Sequence, residues 1–387
     1  MKITIRVFIL VMGCAIILLL IPSCQSTYLG RWVAWNFSDI KDYEKFPDRA
    51  IENAEPVFHF ISDDKDQSIK NVTYSFKEKE RIKDIDDFIA QTETTALIIV
   101  KDDTIRFEGY ANGYARASIN TSFSIAKSIT SMLMGVAIDE GVIDDIEDPI
   151  TKYLPELMDS DPNLQQVTLS HLLMMQSGFF YRDHDLIWGD KPKNYYSPCL
   201  RNRVLNVKLS EAPGSRWQYM GYNPIMCGMI IERVTNQTVT NYFQEKVWKK
   251  LGMEFDASWS IDSEADQMEK MESGVNARAI DFVKLGRLML KGGNWNGEQV
   301  ISKEWVKDCT SLDGSVKAWE GVHYKNFWWI YPANENHPQS FAATGHLGQY
   351  IFVSPEEQTI IVRFGKSEGK VDSWIRIFRT MSSSLDH

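Results

Sequence analysis

Strand-like segments near both ends of the chain enclose a long stretch in which apolar residues recur at helical spacing. Residues 95–100 form an apolar, β-branched run, and an Asp-Asp turn leads into a second extended segment at 104–108. This pattern predicts a β-hairpin. A second hairpin is predicted where residues 349–353 and 359–364 flank a Ser-Pro-Glu-Glu turn. Both ends of the chain therefore contribute strands, which leaves few possible arrangements.

The stretch between the hairpins predicts helices at 149–158, 168–175, 223–234, 239–251, 277–290 and 303–309. A further strand is predicted at 326–331 and a closing amphipathic helix at 371–381. The simplest assembly is one antiparallel sheet flanked by helices, with the middle helices as an inserted all-helical lobe and a cleft between the lobes. We therefore predict an α+β, two-lobed fold with its main domain at 91–385 and the helical lobe at about 130–318.

Residues 1–24 have the pattern of an export signal. Lys2 and Arg6 precede a short apolar run, as in a secretory signal. The approach to Cys24 resembles a bacterial lipoprotein cleavage site, so we expect Cys24 to be lipidated and the chain to be tethered to the membrane outside the cytoplasm, in the bacterial cell envelope. An uncleaved N-terminal transmembrane anchor is the alternative, since the run is near the short limit for a span. Residues 25–90 show no clear period and are expected to form an extension over one lobe.

Charge and composition exclude some kinds of partner. The formal net charge is -10, and acidic and basic residues are interspersed without a basic stripe, so no nucleic acid is expected. Cys199, Cys227 and Cys309 have no paired spacing, so no disulfide framework is expected. The seven histidines are scattered. We therefore predict neither a metal nor another cofactor.

The helix predicted to begin at Ser124 carries a lysine in an unfavourable place. Lys127 falls in the first helical turn, where a cation opposes the helix dipole. Residues three apart on a helix are neighbours, so the Lys127 amine can reach the Ser124 hydroxyl. A weak nucleophile beside an amine is a catalytic arrangement.

The same Ser-x-x-Lys spacing is found at Ser38, Ser62, Ser124 and Ser367. Only Ser124 opens an apolar helix. An ordinary N-cap serine is the alternative interpretation. A capping box would place Glu or Gln where Lys127 stands, and the local sequence leaves both interpretations open.

Tyr219 is a second candidate. It lies on a turn that begins with Pro213-Gly214 and leads into an apolar helix. A phenol beside an ammonium would have a lowered pKa and could act as a general base. The alternative is an aromatic side chain that only packs against the start of the helix.

A third candidate is the segment 344–350, just before a predicted strand. Gly348 would allow the backbone to approach a substrate closely. An edge-strand N–H in this segment, together with the Ser124 N–H, could form an oxyanion hole. The alternative is a glycine-rich turn into the sheet.

The order of these three elements resembles the serine β-lactamase and penicillin-binding-like superfamily, which has a two-lobed β-lactamase/transpeptidase-like fold. The resemblance extends from about 95 to 381. Residues 213–228 and 276–281 are similar to the subgroup with class C β-lactamases, D-aminopeptidases, family VIII esterases and aminohexanoate-dimer hydrolases. His346-Leu347-Gly348 is that subgroup's third motif in its His form.

The resemblance implies that Ser124 is the acylated nucleophile and that Lys127 and Tyr219 share the proton transfers. It also implies an oxyanion hole made by the backbone N–H groups of Ser124 and Gln349. The substrate-binding residues that it implies are His346, Gly348, Tyr181 and Asn276.

The second motif departs from the superfamily pattern. It is usually Tyr-x-Asn, but here it is Tyr219-Met220-Gly221, so the side-chain amide that contacts the acylamino group of β-lactams is missing. Asn223 is an alternative source of an amide. We therefore predict an exported serine hydrolase that cleaves small esters or amides. The alternatives are a β-lactamase, a D-amino-acid peptidase, or a slowly acylated cell-envelope sensor without turnover.

Overall fold

The computed structural model describes residues 27–62 and 69–385. The predicted export signal and the lipidation site at Cys24 lie outside these residues. Within the described ranges, no helix has the length and apolar character needed to cross a membrane. Cys199, Cys227 and Cys309 are free thiols.

The helices and strands are numbered here in chain order. The α-helices are α1 (Tyr28–Trp35), α2 (Ile85–Gln91), α3 (Ile125–Asp139), α4 (Ile150–Tyr153), α5 (Leu157–Ser160), α6 (Leu169–Leu173), α7 (Asp190–Tyr196), α8 (Leu200–Leu205), α9 (Tyr222–Thr235), α10 (Val239–Phe243), α11 (Ala279–Leu290), α12 (Lys303–Thr310) and α13 (Trp374–Ser384). Shorter 3-10 and π-helical turns lie at Asp42–Glu44, Pro162–Gln166, Gln244–Trp248 and Lys249–Leu251. The strands are β1 (Asp48–Ile51), β2 (Ile61–Ser62), β3 (Asn71–Phe76), β4 (Lys79–Asp84), β5 (Thr94–Lys101), β6 (Thr104–Tyr110), β7 (Ile119–Thr121), β8 (Ala257–Ser260), β9 (Val275–Arg278), β10 (Asn294–Trp295), β11 (Glu298–Gln299), β12 (Val316–Trp319), β13 (Val322–Lys325), β14 (Trp328–Tyr331), β15 (Ser340–Gly345), β16 (Gln349–Ser354) and β17 (Thr359–Gly365).

The main sheet draws its strands from both ends of the chain, as predicted. Its order is β12-β13-β14-β15-β16-β17-β5-β6-β2, and all neighbours are antiparallel except β2 and β6. The two ends meet where β17 pairs with β5, with Val362 opposite Ile98. Both predicted hairpins are confirmed. The β5–β6 turn places Asp102 and Asp103 at positive φ, which suits a tight two-residue hairpin.

Helices cover both faces of this sheet. Gly286 of α11 lies so close to Ile351 and Ile360 that a Cβ at this position would overlap both side chains. Phe378 of α13 packs its ring against Phe352, with centroids 5.7 Å apart. Successive residues of a strand point to opposite faces, so Ile351 and Phe352 place α11 and α13 on opposite sides. The predicted α+β fold, an antiparallel sheet flanked by helices, is confirmed.

Helix α3, which Ser124 opens, lies between the sheet and the helical lobe. It contacts β15 and β16 on one side and α9 on the other. Burial of α3 extends around the whole helix, since residues 125–137 are all buried. The buried polar side chains of α3 have hydrogen-bond partners within the protein. For example, the Ser128 hydroxyl donates to the backbone O of Phe327 at 2.7 Å. This position fixes Ser124 at the junction of the lobes.

The stretch at 130–318 is mostly helical, but the prediction that it is all-helical needs a correction. Strands β8 and β9 lie within it and join β1 and β7 in a second sheet of order β1-β8-β9-β7. Residues 277 and 278, predicted as helix, end β9 before α11 begins at Ala279. Helices α7 and α8 also lie in this stretch, where no helix was predicted.

The segment that precedes the main domain contacts both sheets. β1 pairs with β8 of the second sheet, and β2 pairs with β6 at the edge of the main sheet. Helix α1 packs against α7, and the Tyr196 hydroxyl donates to the backbone O of Asn36 at 2.6 Å. This segment therefore reaches the helical lobe beside the cleft.

Candidate active site

Ser124 begins α3 at a cavity of ≈ 630 Å³. The Lys127 Nζ donates to the Ser124 Oγ at 2.8 Å and to the backbone O of Glu272 at 2.9 Å. The Ser124 hydroxyl makes no hydrogen bond to the first turn of the helix. The predicted contact between serine and lysine is confirmed, and the alternative of an ordinary N-cap serine is wrong.

Lys127 is in an environment that favours its neutral form. Its side chain is buried, with an exposed fraction of 4%. Burial disfavours the ammonium and lowers the pKa of Lys127 to about 7, although the nearby Glu272 carboxylate acts in the opposite direction. At neutral pH the amine therefore exists in both forms, which suits a group that takes a proton from Ser124 and later returns it.

The backbone immediately before Ser124 is strained. Phe123 adopts a φ of 44°, a left-handed conformation that is unusual for a bulky residue. Two hydrogen bonds join Ser122 to Val275. The Ser122 N–H donates to the Val275 O at 2.8 Å, and the Ser122 Oγ accepts from the Val275 N–H at 3.1 Å. Such strain persists only where the surrounding structure enforces it, and it clusters at functional sites.

Tyr219 lies in the cleft, as predicted, but the prediction that its pKa is lowered is wrong. The Lys127 Nζ lies 4.9 Å from the centroid of the Tyr219 ring, and this ring stacks on Trp329 with centroids 5.6 Å apart. Burial raises the pKa of the Tyr219 phenol well above its usual value, and a hydrogen bond with Ser124 only partly offsets this. The predicted lowering fails because burial strips water from the phenolate and because the neighbouring amine is itself poorly charged. Tyr219 is therefore a neutral phenol near pH 7.

The third candidate segment, 344–350, reaches the cavity through its first three residues, and the predicted position of His346 at the cavity is confirmed. Thr344, Gly345 and His346 line it. The position of a side chain on Gly345 is occupied by the Ser122 carbonyl, so this segment abuts the turn before Ser124. The His346 ring packs edge-on against Phe123 with centroids 5.5 Å apart, and burial of the ring lowers the pKa of His346.

Gly348 and Gln349 are not among the described residues that line the cavity, so the predicted roles of Gly348 at the substrate and of the Gln349 N–H in the oxyanion hole stay predictions. Gln349 is buried, and its side-chain amide donates to the backbone O of Gly365 at 2.8 Å. The carbonyl of Gly348 accepts from the buried Arg363 guanidinium at 2.6 Å. The Gly348 carbonyl and the Gln349 side chain therefore bind residues of β17, and the N–H that follows Gly345 is that of His346.

We expect Gly348→Ala to destabilise the protein by about 2–4 kcal/mol, since an added methyl group must shift packed neighbours and the backbone must pay for positive φ. Gly348 has a φ of 79°, and a Cβ there would overlap the Arg363 guanidinium. Gly113 is a matched control, because its φ of 85° is similar but nothing lies within 4 Å of its Cβ position. Urea unfolding of both variants measures the difference. Equal losses of stability would show that the contact with Arg363 is unimportant.

The predictions that Tyr181 and Asn276 bind the substrate have different outcomes. Tyr181 lines the cavity and packs its ring edge-on against Tyr222, with centroids 5.3 Å apart. Asn276 does not line it, which corrects the prediction. Asn276 is buried in the second sheet, where its Nδ2 donates to the Ser260 Oγ at 2.9 Å and its Oδ1 accepts from the Thr121 Oγ at 3.1 Å. Asn276 therefore joins strands and has no contact with the cleft.

Several cavity-lining residues gave no signal in the sequence. Those that matter most are Trp32, Phe37, Asn194, Tyr195, Glu272 and Trp329. Trp32 and Phe37 come from α1 and the turn after it, so the N-terminal segment forms part of the wall. The abundance of aromatic residues was the only hint available, because each of these side chains reaches the cavity through tertiary packing.

Two buried polar atoms of the lining have no hydrogen-bond partner among the described residues. They are Asn194 Nδ2 and Glu272 Oε2. The other oxygen of Glu272 accepts from the Lys270 Nζ at 3.2 Å. Among residues 27–62 and 69–385, no group of three or more His, Cys, Asp or Glu side chains is placed to hold a metal ion. The polar groups of the lining thus include the Lys127 amine and the Tyr219 phenol, both in contact with Ser124, together with the Glu272 carboxylate and the Asn194 amide.

Comparison with known families agrees with this geometry. The sequence model described as Beta-lactamase matches residues 82–380. A 6-aminohexanoate-dimer hydrolase from Paenarthrobacter ureafaciens is 26% identical over 316 residues, which cover 76% of each chain.

Solved structures show the same fold at low sequence identity. A Bacillus anthracis protein assigned as a 6-aminohexanoate-dimer hydrolase superposes with a TM-score of 0.78 at 22% identity, covering 92% of this chain and 94% of its own. A class C beta-lactamase superposes with a TM-score of 0.58 at 13% identity, covering 76% of this chain and 92% of its own. At these identities the two likenesses concern the fold alone.

Proposed function

Because this chain belongs to the beta-lactamase family and is a serine hydrolase, we propose that it cleaves ester or amide bonds through an acyl-enzyme at Ser124. The observation that carries the proposal is the 2.8 Å hydrogen bond from Lys127 Nζ to Ser124 Oγ inside the cavity. The lysine is buried and has its pKa lowered to about 7. This pair provides a nucleophile and a base in contact.

Acylation begins with proton transfer. Neutral Lys127 takes the Ser124 proton as the Oγ attacks the substrate carbonyl, and a tetrahedral intermediate forms. The backbone N–H groups of Ser124 and His346 are the donors for its oxyanion, since the turn at 344–346 lies against the turn before Ser124. The C–O or C–N bond of the substrate then breaks and leaves the acyl group on Ser124.

Tyr219 delivers the proton to the leaving group. Its raised pKa keeps the phenol neutral, so it donates its proton to the departing oxygen or nitrogen and is reprotonated from the Lys127 ammonium. Water then attacks the acyl group and loses its proton to Lys127. The resulting ammonium gives this proton to the Ser124 Oγ as the bond between Oγ and the acyl carbon breaks, which releases the acid and restores the Ser124 hydroxyl and the neutral amine. The roles implied for Lys127 and Tyr219 are kept, but the lysine is the base.

Linear amides and esters are the substrate class that we favour. The relative from Paenarthrobacter ureafaciens, a 6-aminohexanoate-dimer hydrolase, aligns over most of both chains. Gly221 lacks the side-chain amide that the Tyr-x-Asn motif of β-lactamases supplies. The cavity lining also includes several aromatic rings, which suit the methylene chain of a linear substrate.

A panel of substrates tests this proposal. Intact-mass analysis should show one adduct with a fluorophosphonate, and steady-state assays should show turnover of p-nitrophenyl acetate and of the linear amide dimer of 6-aminohexanoate. Faster turnover of nitrocefin than of either would make the protein a β-lactamase. One equivalent of product followed by a stable adduct would make it a sensor without turnover.

We also propose that the enzyme is exported and held at the cell envelope through Cys24, which resembles a lipoprotein cleavage site. Membrane fractionation of the expressed full chain tests this. The parent should sediment with membranes and Cys24→Ser should not form the lipidated mature species. A parent that stays in the cytoplasmic fraction would contradict the proposal.

A further inference from the structure

The cleft contains a buried amide that none of the roles above uses. Asn194 lies in α7 with an exposed fraction of 1%, and it lines the same cavity as Ser124 and Tyr219. Its Oδ1 accepts from the Arg203 Nε at 3.3 Å. Arg203 can only donate, so this contact fixes which end of the amide is oxygen and leaves Nδ2 on the side of Gly221, another residue of the cavity lining.

The Nδ2 group has no hydrogen-bond partner among the described residues. A buried donor without an acceptor is costly, and native proteins rarely leave one in place without a reason. The side chain cannot turn away freely, because Arg203 also donates to Asp190 and to the Tyr222 hydroxyl, at 3.2 and 2.8 Å. The amide is thus held in place with a donor available to a ligand.

Gly221 leaves the space that this amide occupies. A Cβ on Gly221 would lie 2.9 Å from Asn194 Nδ2. Gly221 has an ordinary helical backbone, with φ of -78° and ψ of -19°, so glycine is not needed there for conformational reasons. Gly221, two positions after Tyr219, therefore leaves room for the side chain of Asn194.

Asn223 is the other candidate for the missing side-chain amide, but its amide already has hydrogen-bond partners within the protein. It is fully buried, its Nδ2 donates to the backbone O of Leu172 at 3.0 Å, and its Oδ1 accepts from the Ser177 Oγ at 2.9 Å. Asn194 is the amide that remains available at this end of the cleft.

We propose that Asn194 Nδ2 binds a carbonyl oxygen of the substrate, one that belongs to an amide in the acyl part and not to the bond being cleaved. The inference rests on the proposed acyl-enzyme function and adds a specificity determinant to it. The enzyme then prefers acyl groups that carry a second carbonyl over hydrocarbon groups of the same shape.

Two esters of equal size test this preference. The p-nitrophenyl ester of N-acetylglycine carries the second carbonyl, and that of 4-methylpentanoic acid replaces the amide with hydrocarbon. We expect kcat/KM for the first to exceed the second by about tenfold, the effect of one hydrogen bond. Asn194→Asp keeps the oxygen that faces Arg203 but removes the donor, so this ratio should fall towards one. Asn202→Asp, an exposed position on α8, should keep the parent ratio.

Gly221→Ala is a second variant that leaves Asn194 in place. Its methyl group would crowd Nδ2 and should also lower the ratio of kcat/KM between the two esters. This variant tests the role of Asn194 even if Asn194→Asp is unstable. A parent ratio near one, or a ratio that neither variant lowers, would overturn the inference and leave the Ser124 mechanism intact. Failure of both esters to acylate the parent would instead overturn the proposed function and the inference with it.

Discussion

Replacing Ser124 with alanine should abolish the fluorophosphonate adduct and lower kcat/KM for p-nitrophenyl acetate by at least about a thousandfold, since loss of a catalytic serine removes the covalent route altogether. The substitution deletes one oxygen at the start of α3 and leaves the buried helix unchanged. Thermal unfolding of Ser124→Ala should therefore match the parent. Intact-mass analysis and steady-state assays measure the two losses.

Ser367→Ala is the matched control, because Ser367 also begins a Ser-x-x-Lys match. Ser367 is half-buried in a bend, donates to the Glu93 carboxylate and is not among the described residues that line the cavity. This variant should keep both the adduct and the parent rate. If Ser124→Ala kept the parent rate while Ser367→Ala lost it, the nucleophile would be Ser367 and not Ser124.

Much of the fold could be predicted because its signals are local. The two hairpins and the helix after Ser124 have strong period or turn patterns, and the structure confirms them. The second sheet was missed because β8 and β9 have only four residues each and lie in a mostly helical stretch. β8 pairs with β1 and β9 pairs with β7, and both partners are distant in the sequence.

The candidate site divides in the same way. Ser124 and Lys127 are one helical turn apart, so their contact follows from the sequence alone. Asn194, Glu272 and Trp32 come from three other segments, and only tertiary packing brings them to the cavity. No local pattern could assign them.

The placement of the third motif shows a further limit. A glycine at positive φ allows either close approach of a substrate or tight internal packing, and the sequence does not distinguish these. At Gly348 the neighbour is Arg363, whose guanidinium also lies over the Trp374 ring at 4.1 Å from its centroid. The lining residue His346 belongs to the turn before that glycine.

The electrostatics of Tyr219 and Lys127 depend on burial, which a sequence pattern does not reveal. Proximity of an amine suggested a lowered phenol pKa. Burial instead raises the pKa of Tyr219 and lowers that of Lys127, because both charged forms lose the water that stabilises them. The acid–base roles implied by the motif could therefore be assigned only once the depth of the cavity was known.

The same burial predicts how activity depends on pH. Lys127 must be neutral to accept the Ser124 proton, and its pKa of about 7 lies well below the usual lysine value. As pH falls below 7, the neutral fraction drops, so kcat/KM should fall about tenfold per pH unit and reach a plateau above pH 8. Glu272→Gln removes the nearby carboxylate that raises the pKa of Lys127, so the acid limb should move to lower pH.

His346→Gln separates this limb from titration of the imidazole, whose pKa is also lowered. It removes a titrating ring at the edge of the cavity, and the acid limb should remain near pH 7. If the limb disappeared in His346→Gln and stayed in place in Glu272→Gln, the titrating group would be His346 and the assignment of Lys127 as base would fail.

Lys127→Met should show the loss of the base directly. Methionine is apolar and of similar length, so it fills the buried site without the amine. We expect kcat/KM to fall by about a hundredfold to ten-thousandfold, the usual contribution of a positioned proton acceptor, and the acid limb near pH 7 to vanish. Thermal unfolding provides the control for folding, since removing a buried amine that resists protonation should not lower the midpoint at pH 7. A variant that kept the acid limb would show that Ser124 gives its proton to another group.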